Sequence, residues 1–266
     1  MNNWIFLSKE GKDEYINMFA MGSGGRVINT DDFDFKDSDD PIVLRGILKH
    51  KIMKKCWLAG RDFYFMDTGY IGNQRSLINP MGWKYYHRIV KNDLQHSELT
   101  VRPDDRFRKL GIPIYPWKKG GRKILIAKPD EKPMKFYGLE LEKWVQETID
   151  TIKKYTDRPV EVRERVKSRQ DRTLMNTLKE ALDDDVHCLV TFNSNAASEA
   201  VMYGIPAFTL SPTHAASPVT SNDLSLIEKP YYPDKDKVHQ WACHLAYGQF
   251  HVNELKDGTA WRILNE

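Results

Sequence analysis

Asn193-Ser194-Asn195, followed by Ala196, Ala197 and Ser198, puts capping residues and small side chains at the opening of a helix, and that combination suits an anion. A helix N-terminus exposes unpaired N–H groups and a partial positive charge. Small side chains there let a phosphate come close to the backbone. Glu199, inside the first turn, could reach a ribose hydroxyl. An ordinary capped helix in an α/β sheet fits the same residues, so this pattern leaves two readings open. A second group is Asp67-Thr68-Gly69-Tyr70, which follows the aromatic run 62–66. Ligands of α/β sheets bind beyond the carboxyl ends of strands, which makes Asp67 a candidate catalytic carboxylate. D-T-G is also good turn chemistry. A third group is the basic, aromatic stretch 102–123. It holds eight cations, among them Arg102, Arg106, Lys118 and Lys119, together with Tyr115 and Trp117. Cations hold phosphates and aromatic rings stack bases, so a nucleic-acid contact surface is one reading and a solvated surface the other.

The elements that must position these groups follow from periodicity. Residues 187–192 are a short apolar run of the kind found inside a parallel sheet. Residues 196–203 read as a helix that stops at Gly204, and 207–210 as the next strand. Residues 123–127 and 159–162 read as strands. Residues 139–155 read as a helix with Leu141, Trp144, Val145, Thr148 and Ile152 on one face. The helix at 173–182 completes a strand–helix alternation typical of a parallel sheet covered on both faces. The first half gives strands at 3–7, 27–29, 41–46, 62–66 and 84–90. Helices are expected at 14–20 and 47–57, and Gly22-Ser23-Gly24-Gly25 reads as a loop suited to close approach of a ligand. Residues 237–250 and 253–264 read as closing helices. Three prolines and Gly120-Gly121 in the stretch 99–121 mark a linker and place a domain boundary near Lys118.

Composition narrows the class. Lys and Arg number 40 against 37 Asp and Glu, a net charge of +3 that is unevenly spread. Residues 31–40 contain six aspartates, while 163–172 carry a second basic run. No apolar run approaches the roughly 20 residues of a membrane span, and the first fifteen residues lack a signal-peptide pattern. A cytoplasmic protein with no membrane partner is expected. Cys56, Cys188 and Cys243 lie far apart with no metal-ligand spacing, and read as reduced thiols.

Lys128-Pro129 after a strand, Trp144 in the following helix, residues 156–165 (TDRPVEVRER) and residues 190–208 (VTFNSNAASEAVMYGIPAF) together resemble the donor domain of GT-B glycosyltransferases. The flavour is that of capsule-polysaccharide enzymes and of tailed-phage enzymes that glycosylate hydroxymethylated DNA bases. The resemblance implies an α/β fold of two Rossmann-like domains with parallel sheets flanked by helices. Residues 1–118 would form the acceptor-side domain and 119–236 the nucleotide-sugar domain, with the helices of 237–266 packing back on the first. Ser194, Asn195, Ala196 and Ala197 would hold the donor diphosphate, and Glu199 the ribose. Lys128, Arg163 and Lys167 would neutralise the leaving group, and His214 would lie near the sugar or base. Asp67 would be the general base of an inverting reaction. Arg102, Arg106, Trp117, Lys118 and Lys119 would meet the acceptor.

The acceptor expected from the basic stretch is phage DNA, and the donor a UDP-sugar as co-substrate, with no cofactor. A surface or capsule glycan acceptor, a nucleotide-sugar 2-epimerase and a non-enzymatic nucleic-acid-binding protein are the alternatives. No Asp-x-Asp pair stands after a suitable strand, so helix dipole and cations are expected to replace a metal ion.

Overall fold

The computed structural model describes residues 3–72, 85–164 and 178–266. In chain order the first elements are β1 (Ile5–Ser8), α1 (Glu14–Ser23), β2 (Arg26–Asn29), β3 (Ile42–Arg45), α2 (His50–Ala59), β4 (Phe63–Thr68) and β5 (Tyr86–Lys91). Then come α3 (Asp105–Leu110), β6 (Lys123–Ala127), α4 (Glu131–Phe136), α5 (Leu141–Ile152), β7 (Val160–Arg163), α6 (Leu178–Asp183), β8 (Val186–Thr191), α7 (Ala196–Met202) and β9 (Ala207–Thr209). The chain closes with α8 (Lys235–Tyr247), β10 (Gln249–His251), α9 (Val252–Lys256) and α10 (Thr259–Leu264). Two compact units result. One comprises Met1–His96 with Leu245–Glu266, the other Ser97–His244.

The first unit holds a six-stranded sheet in the order β10-β5-β4-β3-β1-β2. Strands β2, β1, β3 and β4 are parallel, whereas β5 and β10 join antiparallel. The sheet is therefore mixed, not parallel throughout as the family resemblance implied. A strand's direction is set by where the chain re-enters the sheet, which local composition does not encode. Alternation along the strands puts Phe6, Val43, Tyr64, Met66 and Ile89 on one face. There they pack with Ile16, Phe19 and Ala20 of α1 and with Leu255 and Ala260 of the closing helices. Trp4 stacks on Tyr64 with ring centroids 4.1 Å apart.

Helix α1 begins where the Asp13 carboxylate accepts from the Ile16 amide (3.3 Å) and ends at Gly24 in the left-handed region (φ +74°). The glycine cluster 22–25 thus serves packing rather than a ligand loop. A Cβ at Gly22 would land on the Leu255 carbonyl oxygen, and one at Gly25 on the Phe6 ring. The acidic stretch after β2 is tied down by Arg61, which is buried. Arg61 donates to the Asp40 carbonyl from Nε (2.9 Å) and Nη2 (2.7 Å), and to the Phe35 carbonyl from Nη1 (3.0 Å).

The second unit holds a four-stranded sheet, β7-β6-β8-β9, parallel throughout. Ile124, Ile126, Cys188, Val190 and Phe208 form its covered face, under Met134 of α4 and Trp144, Val145 and Ile152 of α5. Residues 97–118, assigned by composition to the first domain, belong by contact to this unit. The Tyr115 amide donates to Met202 O (2.8 Å) and the Lys118 amide to Gly204 O (2.7 Å). The stretch is a strap laid over the end of α7. Gly204 accommodates it, because a Cβ there would collide with the Pro116 carbonyl oxygen. All three cysteines are buried and free.

Candidate functional site

Both sheets share one device. In each unit the first strand in sequence lies inside the sheet, the second adds on one side, and the third and fourth add on the other. The strand order reverses between β6 and β8 in the second unit and between β1 and β3 in the first. Ligand crevices of open α/β sheets form beyond the carboxyl ends of the strands at such reversals.

In the second unit the loops leaving the reversal are those after Ala127 and after Thr191. The Thr191 hydroxyl ties the two strand ends by donating to the Ala127 carbonyl (2.8 Å). Lys128 stands on the first loop. Its Nζ lies 2.8 Å from both Glu142 and Glu164, and these bonds, Glu142 first, raise its pKa. Two carboxylates therefore hold this ammonium in place. Arg163 is the last residue of β7, paired in register with Ala127, and its carbonyl accepts from the Lys128 amide (3.1 Å). Lys167 lies outside the described residues.

The loop after β8 is built around Ser194. Its Oγ accepts from the Ala196 amide (3.2 Å) and its carbonyl from the Ala197 amide (3.2 Å). Two of the opening amides of α7 are therefore already used, as in an ordinary capped helix, and are not left to a ligand. The N-cap residue, Asn195, is in the αR region with no side-chain cap. His214 is fully buried: Nδ1 accepts from the Ala216 amide (2.9 Å), and Nε2 donates to the Ser194 carbonyl (3.1 Å). Both ring nitrogens are thus engaged within the protein, which makes His214 the clasp that fixes the Ser194 loop. Tyr137 and Phe192 pack edge to face beside it (centroids 5.2 Å apart), and the Tyr137 hydroxyl lies 3.5 Å from the Thr213 hydroxyl.

Glu199 is the electrostatic outlier. Among the described residues no hydrogen-bond donor reaches its carboxylate. Burial raises its pKa to about 7, with the Arg163 charge pulling the other way. Next to it the Ser198 hydroxyl is fully buried with no hydrogen-bond partner. A half-buried carboxylate in this state is poised to accept from a ligand hydroxyl, since no described protein donor satisfies it. The linkage is explicit. The folded pKa lies above the ordinary value of 4.5, so the contribution to stability is complete below pH 4.5 and is lost as pH rises through 7. Glu199→Gln removes the burial cost of the charge. Urea unfolding should show the variant near wild type at pH 4.5 and more stable, by on the order of 2 kcal/mol, at pH 8.5. Equal differences at the two pH values would mean that Glu199 is solvated.

In the first unit Asp67 is the penultimate residue of β4 and sits opposite Arg88 of β5. Its Oδ1 accepts from the Thr68 amide (2.8 Å), and its Oδ2 lies 3.4 Å from Arg88 Nη2. Its side chain is 40% exposed. Arg88 in turn lies over the rings of Tyr70 and Phe65.

The residues expected to meet an acceptor are drawn into the second unit's own fold. Trp117 Nε1 donates to the Pro233 carbonyl (2.8 Å), and its ring meets Tyr232 edge to face (centroids 5.5 Å apart). Lys118 pairs with Asp183 (2.7 Å) and lies over Tyr203, and Lys119 lies over Tyr232. Arg102 precedes α3 and Arg106 lies within it. Among the described residues no group of three or more His, Cys, Asp or Glu could hold a metal ion, and no helix is long and apolar enough to cross a membrane.

No protein-family model matches the chain, and no curated protein matches it in sequence. Its fold is similar to that of KpsC from Thermosulfurimonas dismutans, described as a beta Kdo 2,4 transferase. The TM-score is 0.53 at 10% identity, covering 96% of this chain and 98% of that one. The two α/β sheets, one mixed and one parallel, with their flanking helices match that glycosyltransferase's fold.

Proposed function

We propose that the protein is a glycosyltransferase that moves a sugar from a nucleotide-activated donor to a hydroxyl of a saccharide acceptor of the surface or capsule type. The observation that carries this reading is the fold likeness to a Kdo transferase over nearly the full length of both chains. The chemistry at the second unit's strand ends agrees with it. Donor phosphates would be met at the reversal between β6 and β8, by the Ser194–Asn195 turn ahead of Ala196 and Ala197, with Arg163 offsetting charge on the leaving group. Lys128 adds a cation already shared with two carboxylates, so its contribution is the smaller. Glu199 accepts from a ribose hydroxyl. His214 acts by holding the Ser194 loop rather than by touching the sugar. Asp67 of the first unit takes the proton of the acceptor hydroxyl.

The saccharide acceptor is better supported than hydroxymethylated DNA. Trp117 spends its N–H on the Pro233 carbonyl and sets its half-buried ring edge to face against Tyr232, and Lys118 and Lys119 rest on tyrosines of the same unit. A base-stacking platform needs a free ring face.

A thermal-shift series on the full chain with nucleoside mono- and diphosphates of each base tests the reading. A ligand that binds only the folded form raises Tm by mass action, by about 2.7 kcal/mol of stability at a hundredfold excess over Kd. At least one nucleotide should raise Tm in a concentration-dependent way, and Glu199→Gln should weaken that response. A flat series across all bases would end the donor assignment.

A further inference from the structure

The reversal between β1 and β3 in the first unit carries charge that the donor site does not use. Strand β1 ends at Ser8, whose hydroxyl accepts from the Asp13 amide (3.0 Å). Strand β3 ends at Arg45, whose Nη1 lies 3.1 Å from Asp13 Oδ2 and whose guanidinium carbon lies 4.7 Å from the Tyr15 ring centroid. One turn further on, Lys49 donates from Nζ to the Leu7 carbonyl (2.8 Å). Arg45 thus pairs with the Asp13 carboxylate at the strand ends, while Lys49 bonds the Leu7 carbonyl and feels that carboxylate's charge. Burial lowers the Lys49 pKa, as does the Arg45 charge, while Asp13 raises it, so the three groups feel one another.

The donors are only partly spent. An ammonium has three N–H groups and a guanidinium five. The Nε of Arg45 is buried with no hydrogen-bond partner, an arrangement that costs stability. The Arg45 side chain as a whole is 30% exposed, so part of its fork stays within reach of a ligand oxygen while Asp13 holds the rest. Between the two cations, Gly46 adopts φ +79°, and a Cβ there would meet nothing within 4 Å. The backbone beside Arg45 therefore fronts open space.

We propose that Arg45 and Lys49 form an oxyanion-binding subsite of the first unit, taking the carboxylate or phosphate of a ligand against the β1–β3 strand ends. Asp13 holds the Arg45 fork in place, and the incoming group supplies the second negative charge. Paired charge-assisted bonds of this kind are short and orienting. Under the transfer reading above the group belongs to the acceptor. The subsite itself rests on the first unit's geometry alone.

The test follows the Nε–Hε resonance of Arg45 in the 15N-labelled full chain, assigned by its loss in Arg45→Lys. Glycerol 3-phosphate, glucuronate and neutral glucose are titrated separately. One or both anions should shift the resonance saturably and glucose should not; the tighter anion identifies whether a phosphate or a sugar carboxylate is the natural group. Lys49→Met should weaken binding at least tenfold, Lys49→Arg should restore it, and Lys51→Met, an exposed cation on α2, should leave it unchanged. Saturable anion binding with no nucleotide response would keep the subsite and end the transferase reading. Absence of a saturable shift with either anion, or equal affinity in Lys49→Met and wild type, would overturn the proposal.

Discussion

Under the proposed transfer, Asp67→Asn should lower turnover by on the order of a thousandfold and leave nucleotide binding at its wild-type value. The substitution is nearly isosteric. An asparagine oxygen can still accept from the Thr68 amide, as Asp67 Oδ1 does at 2.8 Å, so the end of β4 keeps its shape. What is lost is a carboxylate able to take the proton of an attacking hydroxyl, and the second oxygen that faces Arg88 at 3.4 Å. Positioned proton transfer contributes between about a hundred- and ten-thousandfold in most enzymes. The donor residues lie on a different unit, so the nucleotide thermal shift should be unmoved. Steady-state kinetics with the nucleotide identified by that screen, alongside the screen itself, separates the cases. A loss of less than about tenfold, against that hundredfold floor, would remove Asp67 as the base. A loss accompanied by weaker nucleotide binding would make its role structural.

Gly22→Ala should be the most destabilising single methyl addition in the first unit, by about 3 kcal/mol. The new Cβ meets three backbone atoms, the carbonyl oxygens of Leu255 and Lys256 and the amide nitrogen of Gly258, and backbone cannot step aside as a flexible side chain can. α9 and α10 must then lift from α1, and Leu255 and Ala260 lose their place against Ile16 and Phe19. Urea unfolding measures the cost. Ala20→Gly on the same helix serves as the comparison, since it costs about 1 kcal/mol through helix propensity and about as much again through the buried methyl it removes. A Gly22→Ala variant within about 0.5 kcal/mol of wild type, the ordinary scatter of surface changes, would show that the helices do not meet at this point.

Much of the second unit was legible because its signals are local. Residues 123–127 form β6 over the expected bounds, and Trp144, Val145, Thr148 and Ile152 fall on the buried side of α5 as their spacing requires. The misreadings share a cause, which is partners remote in sequence. Residues 249 and 250 continue the apolar pattern of α8 and read as its last turn, but with 251 they take another form. They form β10 because β5, some 160 residues earlier, offers an open edge at Tyr86, His87 and Arg88. The glycines 22–25 look like a ligand loop until Leu255 and Phe6 are seen against them. The strap at 102–119 has the composition of a nucleic-acid surface, and only its backbone bonds to Met202 and Gly204 and the Trp117 bond to Pro233 show that it is laid against the second unit.

The candidate site was legible in residue type but not in state. Burial alone lifts the Glu199 carboxyl toward neutrality, and neither the two carboxylates on Lys128 nor the two engaged nitrogens of His214 can be read from spacing. Arg45 and Lys49 escaped notice as the end of an ordinary apolar strand and a lysine on a basic helix. A cation at the carboxyl end of a parallel strand was the signal that would have flagged them.

The first unit is discontinuous, its sheet completed by Leu245–Glu266 after the whole of Ser97–His244 has intervened. As the chain leaves the ribosome, the second unit is complete while the first still shows a bare β5 rim and an uncovered flank of α1. A fragment ending near residue 96 inherits that unfinished condition and should self-associate through the rim, the usual fate of an open strand edge. A circular permutant that moves the final 22 residues ahead of β1 would let the first unit mature without waiting for the second.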